Sequence, residues 1–193
     1  KVIPSYEEMF TQLDTELPWI TQFYVNLSHG IINYWFIIVP IIIVIVFGIK
    51  TFAGTNAGKH FFGKIALKLP LLKTLTIKSA SSMMARTLST LMGAGVPLIE
   101  AVDIVSNVMT NIYFKEALED AREEITIGMP LSRPLQECGL FPPMVYQMIR
   151  IGEESGNTEA MLDKLADYYD EEVEMEVQSL MAAMEPIIIV VLA

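Results

Sequence analysis

Residues 31–49 read IINYWFIIVPIIIVIVFGI, a stretch without a charge that is followed at once by Lys50. As one α-helix it would measure about 28 Å, close to the roughly 30 Å of a bilayer's hydrocarbon core. The stretch therefore predicts a transmembrane helix over Ile31–Ile49. Trp19, Tyr24, Tyr34 and Trp35 lie ahead of it or at its start, as rings at a headgroup interface do. Pro40 falls inside it and predicts a kink. A second apolar run, Pro186–Ala193, stands at the other end, too short to span alone. The expected architecture is an all-α, membrane-anchored protein with its body held between two hydrophobic stretches.

Charge is distributed unevenly along the chain. The net charge is -10, yet no Asp or Glu occurs from Leu17 to Ile99. That region holds Lys50, Lys59, Lys64, Lys68, Lys73, Lys78 and Arg86. From Glu100 onward there are 19 acidic residues against five basic ones. Before the apolar stretch, Glu7, Glu8, Asp14 and Glu16 face only Lys1. The positive-inside bias then places residues 50 onward in the cytoplasm and residues 1–30 outside it. A basic patch for nucleic acid is disfavoured, because an acidic body follows it. The single cysteine, Cys138, excludes an intrachain disulfide. The start at Lys1-Val2-Ile3-Pro4 reads as a chain entered partway through.

Residues 57–69 mix Phe61, Phe62, Ile65 and Leu69 with Lys64 and Lys68, a basic amphipathic stretch interrupted by Pro70. It suits either a membrane surface or a docked helix with its lysines in solvent. Six body helices are expected after it. They are Ser79–Met92, ended by Gly93-Ala94-Gly95; Pro97 to about Met109; Asn111–Ile127, capped by Asn111; Leu131–Glu137; Met144–Ile151, closed by Gly152; and a long helix from about Thr158. In the last, Leu162, Leu165, Tyr169, Val173, Val177, Leu180 and Met184 recur every three or four residues, which marks one buried face. If it continues through Glu185-Pro186 into the final apolar run, it forms one rod about 54 Å long; a hinge there is the alternative. No alternating strand pattern accompanies these helices, so the body reads as a helical bundle.

Catalytic chemistry is thinly represented. Gly152-Glu153-Glu154-Ser155-Gly156 joins two helices, but its carboxylates have no His, Cys or third carboxylate at ligand spacing, and Ser155 is expected to support the following helix. Gly93-Ala94-Gly95 follows a helix and lacks a Gly-Lys-Ser/Thr, so it is not a phosphate loop. His29 and His60 flank opposite ends of the apolar stretch. No enzyme and no cofactor are expected. The acidic faces of the third and sixth body helices suit docking of a basic partner by complementary charge.

Ala85-Arg86-Thr87-Leu88-Ser89-Thr90-Leu91, then Gly95-Val96-Pro97-Leu98 with Glu100-Ala101, resembles the second cytoplasmic domain of the inner-membrane platform proteins of type IV pilus assembly and type II secretion. So do Phe141-Pro142-Pro143, Met148-Ile149, Gly152 to Gly156, Met161-Leu162, Leu165-Ala166 and Tyr168-Tyr169. Glu185-Pro186 before an apolar run is similar to the start of that family's last span, and Leu17-Pro18-Trp19-Ile20-Thr21 to its inter-span linker. Met84 and Thr158 depart from the pattern.

The resemblance implies a non-catalytic, homo-oligomeric platform that couples a cytoplasmic hexameric assembly or retraction ATPase to pilin or pseudopilin subunits, among other inner-membrane machine components. It implies structural or docking roles for Arg86, Gly95, Pro97, Gly152, Glu153, Glu154, Ser155, Gly156, Tyr169, Glu185 and Pro186. The expected organisation is an extracytoplasmic linker over 1–30, a span over 31–49, a basic membrane-proximal segment over 50–78, a six-helix cytoplasmic bundle over 79–184, and the start of a truncated span over 185–193. That places a multi-pass protein in a bacterial inner membrane. The competing reading is a transporter or channel subunit, which needs polar residues within its spans; residues 31–49 offer Asn33 and Tyr34 near one end.

Overall fold

A computed structural model describes residues 36–37, 39–41 and 43–192. Among these the chain is helix joined by short turns: α1 (Val39–Gly54), α2 (Asn56–Lys68), α3 (Pro70–Gly93), α4 (Leu98–Val108), α5 (Ile112–Thr126), α6 (Ser132–Glu137), α7 (Pro143–Ser155) and α8 (Thr158–Leu192). They divide between Thr55 and Asn56 into two units.

The transmembrane frame expected from the sequence is overturned. No single helix among the described residues is long and apolar enough to cross a membrane. α1 takes up most of the apolar stretch but covers only about 24 Å before it ends at Gly54. α1 and α2 meet the length and composition requirement only when taken together, and Thr55 interrupts them. α8 is long enough, but acidic residues occupy much of it before Glu185. The fold is thus an all-α chain of eight described helices, not a six-helix bundle flanked by transmembrane helices. The multi-pass inner-membrane placement falls with the span that motivated it. The linker expected over 1–30 and the first residues of the expected span, 31–35, lie outside the described residues.

The second unit begins with α2. Gly58 and Gly63 are buried, and a Cβ on Gly63 would lie 3.0 Å from Asn111 Oδ1. The Asn111 side chain accepts from Tyr113 N (3.0 Å), capping α5, and donates to Gly63 O (3.2 Å). α2 therefore packs against the start of α5, with Lys59, Lys64 and Lys68 exposed. Pro70 interrupts α2 as expected, yet it also opens α3 well ahead of Ser79. At the first helical position its missing N–H costs nothing, because no intrahelical acceptor is available there.

One apolar core joins α3 to α8. Met84, Ala85 and Leu88 of α3 meet Ala101, Val102 and Val105 of α4, Phe114, Leu118 and Ala121 of α5, Leu135 of α6, Val145 and Ile149 of α7, and Leu162, Leu165 and Ala166 of α8. Phe114 and Phe141 pack edge to face with ring centroids 5.1 Å apart. The periodic stripe of α8 is buried only in part. Leu162, Leu165 and Tyr169 are in the core, Val173, Val177 and Leu180 are half-buried, and Met184 is 53% exposed. The helix runs unbroken through Pro186 for 35 residues, about 52 Å, so the rod is continuous and the hinge is absent.

Phe114 is fully buried beneath the other helices. Phe114→Ala is expected to cost about 3–5 kcal/mol of stability. Urea unfolding should show a lowered midpoint with an unchanged slope.

Candidate functional site

Three short segments gather most of the residues singled out from the sequence. The first is the seam between α3 and α8. The two helices run antiparallel, since Lys78 meets Glu172 and Glu176 while Arg86, farther along α3, meets Asp163 and Asp167, nearer the start of α8. Small side chains let them approach: Ser81, Ser82, Ala85 and Ser89 of α3 are all buried. Ser89 Oγ donates to Glu159 O (3.3 Å), and Ser82 Oγ donates to a carboxylate oxygen of Asp170.

Arg86 is the hub of this seam. Nη1 lies 2.8 Å from Asp163 Oδ1, and Nη2 lies 2.5 Å from Asp167 Oδ1 and 2.7 Å from Asp170 Oδ2. Hydrogen bonds from Asp170 and Asp167 raise the guanidinium's pKa still further above its ordinary value. The Ser82 hydroxyl, and then Arg86, hold the Asp170 carboxyl below its ordinary value. Lys78, bonded to Glu172 (2.8 Å) and Glu176 (2.9 Å), is raised chiefly by Glu172. Burial pushes the Tyr169 phenol up to about 12, so it stays neutral at physiological pH. One arginine against three aspartates leaves a carboxylate excess on the outer side of α8, where Asp163, Asp167, Asp170, Glu171 and Glu174 are exposed.

The second segment is the junction of α7 and α8. Gly152 was expected to close α7, but it lies within the helix and is buried. A Cβ there would sit 2.8 Å from Thr158 Cα and 3.2 Å from Met161 Cβ, so glycine is required for α8 to start this close. Gly156 supplies the actual stop, with φ 69° in the left-handed region that glycine adopts without strain. Asn157 N then donates to Gly152 O (2.9 Å). Glu153, Glu154 and Ser155 are consequently helical. Ser155 does not support α8; its hydroxyl donates back to Gly152 O (3.4 Å). Glu153 turns to α6: Oε1 accepts from Leu131 N (2.5 Å), and Oε2 accepts from Ser132 N (3.3 Å) and Ser132 Oγ (2.6 Å). It thus caps a helix whose own cap position, Leu131, has no side-chain acceptor.

The third segment is the α3–α4 turn, where Val96 N donates to Leu91 O (3.0 Å) across Gly95 and Pro97 O receives Ala101 N (2.9 Å) at the start of α4. Glu185 and Pro186 stand apart from all three segments, exposed near the far end of α8.

The sequence alone did not identify the partners of Arg86 or the role of Glu153. The spacing of Asp163, Asp167 and Asp170 along one helical face was the available signal for the first. No local signal existed for the second, because Glu153 and Leu131 are distant in sequence. Among the described residues, no group of three or more His, Cys, Asp or Glu side chains could hold a metal ion.

A family model described as type II secretion system (T2SS), protein F, matches residues 84–193. Over the full chain, the sequence is 39% identical to the type IV pilus assembly protein PilC of Pseudomonas aeruginosa and covers 52% of that protein. It is 36% identical to the PilC of Myxococcus xanthus, covering 46% of it. Over 97% of the chain it is 32% identical to the type II secretion system protein F of Xanthomonas campestris pv. campestris, again covering 46%. The chain thus spans about half the length of these relatives.

Two outcomes test the site geometry. Gly152→Ala, which forces a Cβ against the α8 backbone, is expected to destabilise by about 1–3 kcal/mol in thermal or urea unfolding. The lowered pKa of Asp170 makes its contribution complete above the unfolded value and lost as pH falls toward the folded one, in a window below about pH 4. An acid titration of stability should therefore be shallower in Asp170→Asn than in the parent.

Proposed function

This chain belongs to the type II secretion system protein F family, and from that membership we propose that it serves as part of a platform in a type IV pilus or type II secretion machine. Its role is mechanical, not catalytic. It receives motion from a cytoplasmic assembly or retraction ATPase and passes it to pilin or pseudopilin subunits, in company with further copies and other machine components.

The observation that best supports this reading is the clamp of α8 to the bundle. A 35-residue helix is tied to α3 through Lys78, Ser82, Arg86 and Ser89, and its far end extends with falling burial toward Glu185 and Pro186. A load on the bundle then shifts the whole rod. In this proposal Arg86 and Tyr169 set its register. Gly152 and Gly156 set its starting angle, Glu153 and Ser155 tie down the preceding helix, and Gly95 with Pro97 fixes the turn into α4. The excess carboxylates of α8 form the surface that a basic face of the motor engages.

Site-specific photocrosslinkers at Asp167, Glu171 and Glu174 should capture the motor ATPase in cells of the producing organism, and one at Glu185 should capture pilin-like subunits. Arg86→Ser should reduce surface pili or secreted substrate while the protein remains at normal abundance. Absence of motor crosslinks from all three α8 positions, with assembly intact in Arg86→Ser, would overturn the reading.

A further inference from the structure

α2 has two sides of different character. One is packed. His60 Nε2 lies 3.1 Å from Glu116 Oε1 and its ring meets Tyr113 edge on, Gly63 lies against Asn111, and Leu67 packs on the core. The helical repeat puts Phe61, Phe62 and Ile65 on the opposite side. Phe61 is 56% exposed and Phe62 41%, and their rings meet edge to face. Leu69, at the bend into α3, is exposed as well. Lys64 and Lys68 stand on one flank of this apolar ridge and Lys59 on the other, all three exposed.

The charge here is uncompensated. Lys59, Lys64 and Lys68, with Lys73 on α3, have no ion pair among the described residues. No Asp or Glu occurs from Leu17 to Ile99 to neutralise them. Glu116 does reach α2, but on the packed side, at His60. An exposed apolar ridge bordered by lysines is therefore left facing outward from a body that is otherwise acidic.

We infer that this outer side of α2 lies on an anionic phospholipid surface. Phe61, Phe62 and Leu69 enter the boundary between headgroups and acyl chains, while the lysine stems run along the apolar surface and carry their ammonium groups to the phosphates. The contact is peripheral: it asks a helix to lie on a bilayer, not to cross it. A purely acidic partner answers the lysines alone, whereas an anionic bilayer answers the lysines and the ridge together.

α1 also exposes apolar side chains, among them Val44 and Phe47, so binding of the whole chain to vesicles would not separate the two helices. The readout is instead a dye local to α2. The full chain carrying Cys138→Ser and Leu69→Cys is labelled with the environment-sensitive dye NBD; a second version carries the dye at Glu123→Cys, exposed on α5. With vesicles of mixed phosphatidylcholine and phosphatidylglycerol, the dye at position 69 should brighten, shift to the blue and be quenched by nitroxide-labelled lipid, and the dye at 123 should not. The response should weaken as salt rises and be much smaller with phosphatidylcholine alone. Lys64→Gln with Lys68→Gln should raise the lipid concentration needed about thirtyfold, the effect of two lysines beside an anionic surface. Lys164→Gln on α8 should leave it unchanged. Equal responses to both kinds of vesicle, quenching at 123 as strong as at 69, or unaltered lipid dependence in the double lysine variant would overturn the inference. So would a response to soluble polyglutamate with none to vesicles, which would assign the face to an acidic protein. None of these results bears on motor capture at α8, so the two readings fail separately.

Discussion

The antiparallel contact of α3 with α8 is the constraint on which the rest of the second unit depends. Ser81, Ser82, Ala85 and Ser89 keep the near side of α3 small, so the two backbones approach closely. Met84 and Leu88 meanwhile reach the core shared with α4 to α7. The charged rim adds little energy per pair, since Arg86 and its aspartates are exposed and exposed ion pairs contribute at most about 1 kcal/mol each. Its effect is on register. Lys78 spans Glu172 and Glu176, Ser82 meets Asp170, Arg86 reaches back to Asp163, and Ser89 meets the Glu159 carbonyl. A slip of one turn would break all of these at once.

That register gives α8, one helix in backbone, two stretches with different surroundings. Up to Tyr169 its inner face belongs to the core; beyond Val177 it has lost most of its cover. Pro186 removes one amide donor, leaving the carbonyl of Ala182 without its helical partner. Both residues are exposed, so solvent can accommodate that carbonyl and the helix continues. At the other end, Gly152 lets α8 begin in contact with α7, so the start of the rod is fixed by a backbone approach and its middle by the seam.

The sequence made the periodic features legible and left the non-local ones hidden. The positions Leu162, Leu165 and Tyr169 follow from the helical repeat, and the Asn111 cap from its place before an amphipathic run. Residue type alone misled at Pro70 and Gly152. A proline can end one helix or begin the next, and a glycine can mark a stop or admit a neighbouring backbone. The two outcomes look identical until the neighbour is known. The same ambiguity affected the apolar stretch at 31–49. Composition and length suggested a span, while the described helix there ends at Gly54 without sufficient apolar length of its own. Glu153 was beyond sequence reasoning, because the amides it caps belong to a helix entered two turns of the chain earlier.

The acidic residues after Glu100 therefore fall into two groups that the sequence could not separate. Glu153, Asp170, Glu172 and Glu176 have their oxygens held by amides, hydroxyls or cations. These fix helices against one another. Glu171 and Glu174 on α8 are exposed and have no such partner among the described residues, while Asp163 and Asp167 share one arginine with Asp170. A carboxylate already held by buried donors has little left to offer a partner, whereas one in solvent gives up only water. Glu171 and Glu174 on the outer face of α8 therefore keep their full hydrogen-bonding capacity in solvent. The carboxylates of the first group hold in place the helices that present those of the second.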